Sequence, residues 1–307
     1  MKKKGIALVE RQYLFPFVLI TSLFFLWGFA HAILDVLNKH FQELLTITRT
    51  HSAMIQATMY MGYFIMAIPA GLFINRHGYR KGVVLGLLLY GIGSLLFIPG
   101  QYIASFNMFL FSLFVIGCGL TFLETAANPY VTELGARETA ASRLNFAQSF
   151  NGLGCIFAPI LTGLLLFSDE DKGASGNVAL PYAVMGVIVL LAALAFMRVR
   201  LPEIPHEEEV DSEGHHVGLW THKLFVFGLV ALFAYEVSEI SINSFFINYV
   251  TEVGWMNARD ASLVLSFGGL GLFMVGRFVG SWIMRRVRAE KMLFWCCLLY
   301  TSPSPRD

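Results

Sequence analysis

Four carboxylates stand within or beside long apolar runs: Asp35, Glu124, Glu236 and Glu239. A charge at the centre of a bilayer costs about 2.5–3.5 kcal/mol on the insertion scale, so each needs a reason to be there. One reason is chemistry, since a buried carboxyl can exchange protons near neutral pH and bind polar ligands. The other is a position near the headgroups or at a helix end. Helical spacing sorts further polar residues onto faces. Trp27, His31 and Asp35 are four apart and form one stripe. Glu124 and Asn128 form a second, Asn145, Gln148 and Asn151 a third, and Glu239 and Asn243 a fourth. A single amide in a membrane helix serves as glue between helices. Four polar stripes on four segments point instead to a shared water-filled cavity. Asn and Gln supply neutral donors and acceptors, Trp27 an apolar platform, and the carboxylates acceptors for adjacent hydroxyls. That set suits a sugar. His31 either tunes Asp35 or packs as a hydrogen-bonded ring.

The elements that position these stripes follow from composition. The chain has 307 residues, 56% hydrophobic and only 14% charged, with 28 Phe and a formal net charge of +1. Ordinary soluble domains carry about 25% charge. Soluble enzymes and disordered chains are excluded, and the near-neutral total gives no reason for a nucleic-acid partner. The composition defines an all-α, polytopic membrane protein. Apolar runs long enough to cross a bilayer fall at about 14–38, 53–75, 82–100, 106–130, 144–168, 179–199, 223–250 and 261–284. A ninth begins near Met292, so about eight and a half spans are expected.

Lysine and arginine fix the expected orientation. Lys2, Lys3, Lys4, Arg11, Arg76, Arg80, Lys81, Arg137, Arg143, Arg198, Arg200, Lys223, Arg285, Arg286, Arg288 and Lys291 fall on one side. Lys39, Arg49, Lys172 and Arg259 fall on the other. The excess places the N-terminus of this multi-pass membrane protein in the cytoplasm. Met1 and the following lysines precede an apolar run too long for a cleaved signal core.

The expected domains are a six-helix bundle over 1–200, a cytoplasmic linker over 201–222 and a partial second bundle over 223–297. Residues 298–307, with Pro303 and Pro305, cannot finish a membrane helix and read as a non-native tail. Gly71 to Lys81 is echoed by Gly280 to Lys291, each a glycine at a helix end followed by a basic loop. This weak repeat fits two parallel six-helix halves. Gly82/Gly86 and Gly276/Gly280 have the spacing of close helix contacts. Cys118, Cys155, Cys296 and Cys297 lack metal-ligand spacing and are expected to stay reduced. His215 and His216 have no further ligands at a suitable spacing. No phosphate loop, dinucleotide fingerprint or zinc-protease motif is present. No metal, cofactor or catalytic residue is expected.

The strings Phe24-Phe25-Leu26-Trp27 with Asp35, Leu123-Glu124-Thr125-Ala126-Ala127-Asn128-Pro129 and Arg143-Leu144-Asn145-Phe146-Ala147-Gln148-Ser149-Phe150-Asn151 carry a resemblance. Over roughly 14–296 the chain resembles the major facilitator superfamily, and within it the fucose–galactose–glucose proton symporters. The resemblance implies a twelve-helix fold, alternating access and a cavity between two six-helix halves. It implies that Asp35 and Glu124 serve proton coupling and sugar binding, with Gln148 and Asn151 in the pocket. The substrate-binding set expected from stripes and resemblance together is Trp27, His31, Glu124, Asn128, Gln148, Asn151, Glu239 and Asn243. The family's gating loop corresponds to Gly71, Asn75, Arg76, Gly78 and Arg80. This chain departs from the family pattern at His31 and Ala32, where an asparagine pair is usual, and at Asn75, where aspartate is usual. The expected function is proton-coupled monosaccharide symport by a monomer in a lipid bilayer. The alternatives are a sugar sensor that does not transport, or an inactive truncated fragment.

Overall fold

The structure is a computed structural model that describes residues 7–44, 49–103, 105–166, 179–199, 218–256, 260 and 264–301. The described residues are predominantly helical, with no strand among them. They form α1 (Leu14–Leu44), α2 (Arg49–His77), α3 (Tyr79–Leu95), α4 (Phe97–Ile103), α5 (Phe106–Glu133), α6 (Ala140–Leu166), α7 (Ala179–Arg198) and α8 (Lys223–Glu252). A π-helical turn at Val264–Leu270 leads into α9 (Gly271–Met284), and α10 (Ala289–Thr301) follows. Six described helices are long and apolar enough to cross a membrane. The expected third span is broken at Leu96 into α3 and α4, two residues after which Ile98 is followed by Pro99. Within the expected eighth, the described residues form a π turn at Val264–Leu270 before regular helix. Most of the 201–222 linker, with His215 and His216, and the end of the tail lie outside the described residues.

Two compact units are present. Residues 205–273, carrying α8 and the π turn, make one. Residues 1–204 with 274–307 make the other, in which α1 packs on α6, α2 on α5, and α3 on both α5 and α7. Each pairing is close because glycines meet backbone. A Cβ added to Gly28 of α1 would lie 2.0 Å from the Asn151 carbonyl oxygen, and one on Gly154 of α6 would lie 2.2 Å from that of Phe25. Gly117 of α5 is set against Met59 of α2 in the same way, at 2.4 Å. Without a hydrophobic driving force in lipid, such backbone approach is what holds helices together. Gly86 meets Gly119 as its spacing predicts, whereas Gly276 has nothing within 4 Å. The second small-residue pair therefore makes only half of its expected contact, through Gly280 against Met292.

Polar side chains complete the links. Tyr90, fully buried on α3, donates to the Leu26 carbonyl of α1 at 3.2 Å and sits 2.8 Å from Met185 Sδ of α7. Phe97 stacks on Tyr182 with centroids 3.7 Å apart. Gln101 Oε1 accepts from the Ala179 N–H at 2.7 Å and caps α7. Between α6 and α9 the serines are reciprocal: Ser281 Oγ donates to the Ser142 carbonyl at 2.8 Å, and Ser142 Oγ donates to the Ser281 carbonyl.

The residues expected for gating include and flank the single-residue link at Gly78 between α2 and α3. Gly71 faces open space, Asn75 and Arg76 are exposed in the last turn of α2, and Gly78 turns the chain at φ +85°. Arg80 reaches across to α7, where its Nε donates to the Phe196 carbonyl at 3.2 Å and its Nη2 to that of Met197. Terminal carbonyls of a helix have no partner of their own, and a cation there also meets the favourable end of the helix dipole. Arg80→Gln is expected to lower stability by about 0.5–1.5 kcal/mol, read as a lower midpoint of thermal unfolding in detergent. An unchanged midpoint would remove Arg80 from the α3–α7 contact.

Candidate functional site

A cavity of about 660 Å³ opens between α2 and α5. The α5 side presents Thr121, Glu124, Thr125 and Asn128, spaced three and four apart on one face. The α2 side presents Tyr60, Tyr63, Phe64 and Ala67. The volume lies within the roughly 300–1,000 Å³ of small-molecule sites. One wall is aromatic; the other carries a carboxylate, an amide and two hydroxyls.

Glu124 also borders a small void beside Trp27, Leu23, Phe24, Leu123 and Ala127, so the stripes on α1 and α5 converge on this carboxylate. Trp27 Nε1 donates to the Tyr63 hydroxyl at 3.0 Å, and His31 Nε2 lies 3.0 Å from the same oxygen. The His31 ring packs among Trp27, Tyr60 and Tyr63, with centroids 6.0, 6.3 and 5.8 Å away. These contacts make His31 a hydrogen-bonded ring. Its neighbour Asp35 lies in α1, but the Asp35 side chain is outside the described residues.

On α6, Gln148 Nε2 donates to Asn128 Oδ1 at 3.2 Å, which joins the second and third stripes. Asn151 is half-buried, and its main chain forms the close contact with Gly28. Asn145 shares their face by spacing but belongs elsewhere: its amide donates to the Ala141 carbonyl at 3.4 Å and lies 3.9 Å from Met284 Sδ of α9. Glu239, half-buried, and Asn243 lie on α8 in the second unit, and the Asn243 side chain is outside the described residues. Glu236 is exposed.

Sequence reasoning missed Tyr60 and Tyr63. The available signal was their three-residue spacing around Gly62, which puts two phenols on one face beside a small residue. It also missed Thr121 and Thr125, which extend the Glu124–Asn128 stripe by one turn.

Membrane-length apolar helices, with no strand among the described residues and a polar cavity among them, have the build of a polytopic transporter. The profile of the Major Facilitator Superfamily matches residues 17–302, and the chain belongs to that superfamily. It is 35% identical over 290 residues to a glucose/galactose transporter of Brucella abortus, covering 92% of this chain and 70% of that one. It is 34% identical over 309 residues to the L-fucose-proton symporter of Escherichia coli, with the same coverage. Among solved structures, the superfamily transporter FucP in the outward conformation superposes with a TM-score of 0.79 at 34% identity, covering 92% of this chain and 74% of that one. A D-xylose-proton symporter at 15% identity and a TM-score of 0.54 shares the fold.

Proposed function

We propose that the protein is a proton-coupled monosaccharide symporter of the fucose, galactose and glucose type, working by alternating access. The observation that carries this reading is that Glu124, Asn128 and Tyr63 line one cavity, with Tyr63 hydrogen-bonded to Trp27 and in contact with His31 behind it. The printed activities of relatives at 34–35% identity support it. Glu124 is the central group, touching both proton and sugar, and Asp35 is the residue that takes the proton in. Trp27, His31, Asn128, Gln148 and Asn151 serve the sugar from the N-terminal bundle, residues 1–200. Glu239 and Asn243 serve it from the portion beyond the 201–222 linker. Gly71, Asn75, Arg76, Gly78 and Arg80 form the gating loop. The protein is a monomer in the inner membrane with its N-terminus in the cytoplasm, and it carries out transport without catalysis.

One proton falling through 100 mV supplies about 2.3 kcal/mol, enough for about 50-fold accumulation of one sugar. The test is uptake of labelled fucose, galactose and glucose by cells expressing the protein, with and without a protonophore. Accumulation of one sugar that collapses with the protonophore is the expected result. Binding without uptake would identify a sensor instead. Asp35→Asn is expected to abolish accumulation while leaving exchange of labelled for unlabelled sugar, since an amide cannot carry the proton but leaves the sugar site in place.

A further inference from the structure

The Tyr63 hydroxyl is where α1 and α2 meet chemically. A phenol oxygen has one proton to give and two lone pairs to offer. The Trp27 indole N–H can only donate, and at 3.0 Å it takes one lone pair. One O–H and one lone pair remain. His31 Nε2 is 3.0 Å from the same oxygen, within reach of that proton. The Tyr63 ring meanwhile forms part of the cavity wall opposite Glu124 and Asn128.

We propose that Tyr63 determines which sugar the cavity accepts, its hydroxyl proton resting on His31 in the empty site and turning to a sugar oxygen in the filled one. The inference rests on the symport reading above and adds a residue to its site. Trp27 holds the phenol in place, so its proton swings between the imidazole nitrogen and acceptors on the cavity side, where a ligand atom can take it. A sugar with a hydroxyl on that arc gains a hydrogen bond; a sugar without one leaves the proton on His31. His31 acts as a competing acceptor: it lowers affinity for a sugar that takes the proton, leaves one that cannot take it unaffected, and so narrows the gap that Tyr63 sets between them. Glu124 can only accept when ionised, so it cannot supply the donor that Tyr63 brings.

The test measures binding of the transported hexose and its monodeoxy analogues to the purified protein. Tyr63→Phe is expected to weaken the parent sugar about 5- to 10-fold. One monodeoxy sugar should show the same loss on the unaltered protein and no further loss on Tyr63→Phe. His31→Phe keeps the ring but removes the competing acceptor, and is expected to tighten binding about 3-fold, a gain absent from the double variant. Equal penalties for every deoxy sugar on both proteins, or weaker binding by His31→Phe, overturn the proposal. Should Tyr63→Phe not accumulate in the membrane, His31→Phe decides alone: deoxygenation at the critical position must cost it more than it costs the unaltered protein. Loss of sugar binding on Glu124→Gln together with additive Tyr63 and sugar effects would leave symport standing and sink only this inference. No binding of any hexose by the unaltered protein would overturn both.

Discussion

Glu124→Gln is expected to lower sugar affinity about 10- to 150-fold and to end proton-driven accumulation. The carboxylate borders both the main cavity and the void beside Trp27, so any sugar seated on the aromatic wall meets it. Glutamine keeps the shape but turns one acceptor into a donor and cannot be protonated. The charge-assisted hydrogen bonds it loses are worth about 1.5–3 kcal/mol. Counterflow of labelled sugar in proteoliposomes separates the two losses. Asp35→Asn should retain counterflow, whereas Glu124→Gln should weaken it along with accumulation. Full accumulation by Glu124→Gln would remove this residue from the centre of the site.

Arg143→Ala is expected to destabilise the protein by about 2–4 kcal/mol, because the neutral acceptors left buried lose charge-assisted hydrogen bonds worth about 1.5–3 kcal/mol and stay partly unpaired. The side chain is fully buried near the end of α5. Its Nε donates to the Val131 carbonyl at 3.1 Å, its Nη2 to Thr132, and its Nη1 to Ala136 at 3.0 Å and Thr139 Oγ1 at 2.6 Å. A longer contact, at 3.4 Å, runs to the Leu8 carbonyl. One guanidinium thus gathers the last carbonyls of α5, the turn into α6 and the segment before α1. Arg143→Lys should lose most of the same stability, because a single ammonium cannot spread over that fork of acceptors. Thermal unfolding in detergent and yield in the membrane fraction are the readouts. A lysine variant as stable as the parent would show that charge, not geometry, holds the turn.

The stripes were legible because a helix fixes residues four apart on one face whatever surrounds it. Trp27 with His31 and Glu124 with Asn128 needed only that rule. Tyr63 was not legible, since a tyrosine amid apolar residues looks like any lipid-facing aromatic until Trp27 and His31 of another helix are beside it. Arg143 looked like a loop cation in the charge count; its burial comes from a turn that gathers several carbonyls around its guanidinium. Asn145 shows the converse, sharing the register of Gln148 yet turning to its own helix and α9. The break at Leu96 had a local signal in Pro99, but its placement depends on Phe97 finding Tyr182.

The glycine contacts between α1 and α6 limit how this protein can vary over generations. Any side chain at Gly28 or Gly154 would put a carbon about 2 Å from a carbonyl oxygen of the facing helix. Elsewhere in a core, a larger residue can be offset by a smaller one opposite. Here the opposing surface is main chain, which no substitution can trim. Neither position has a compensating partner, so drift at this crossing is closed in both directions. In the proposed function, the sugar-binding residues Trp27, His31, Gln148 and Asn151 must therefore diversify on a pair of helices whose separation stays fixed.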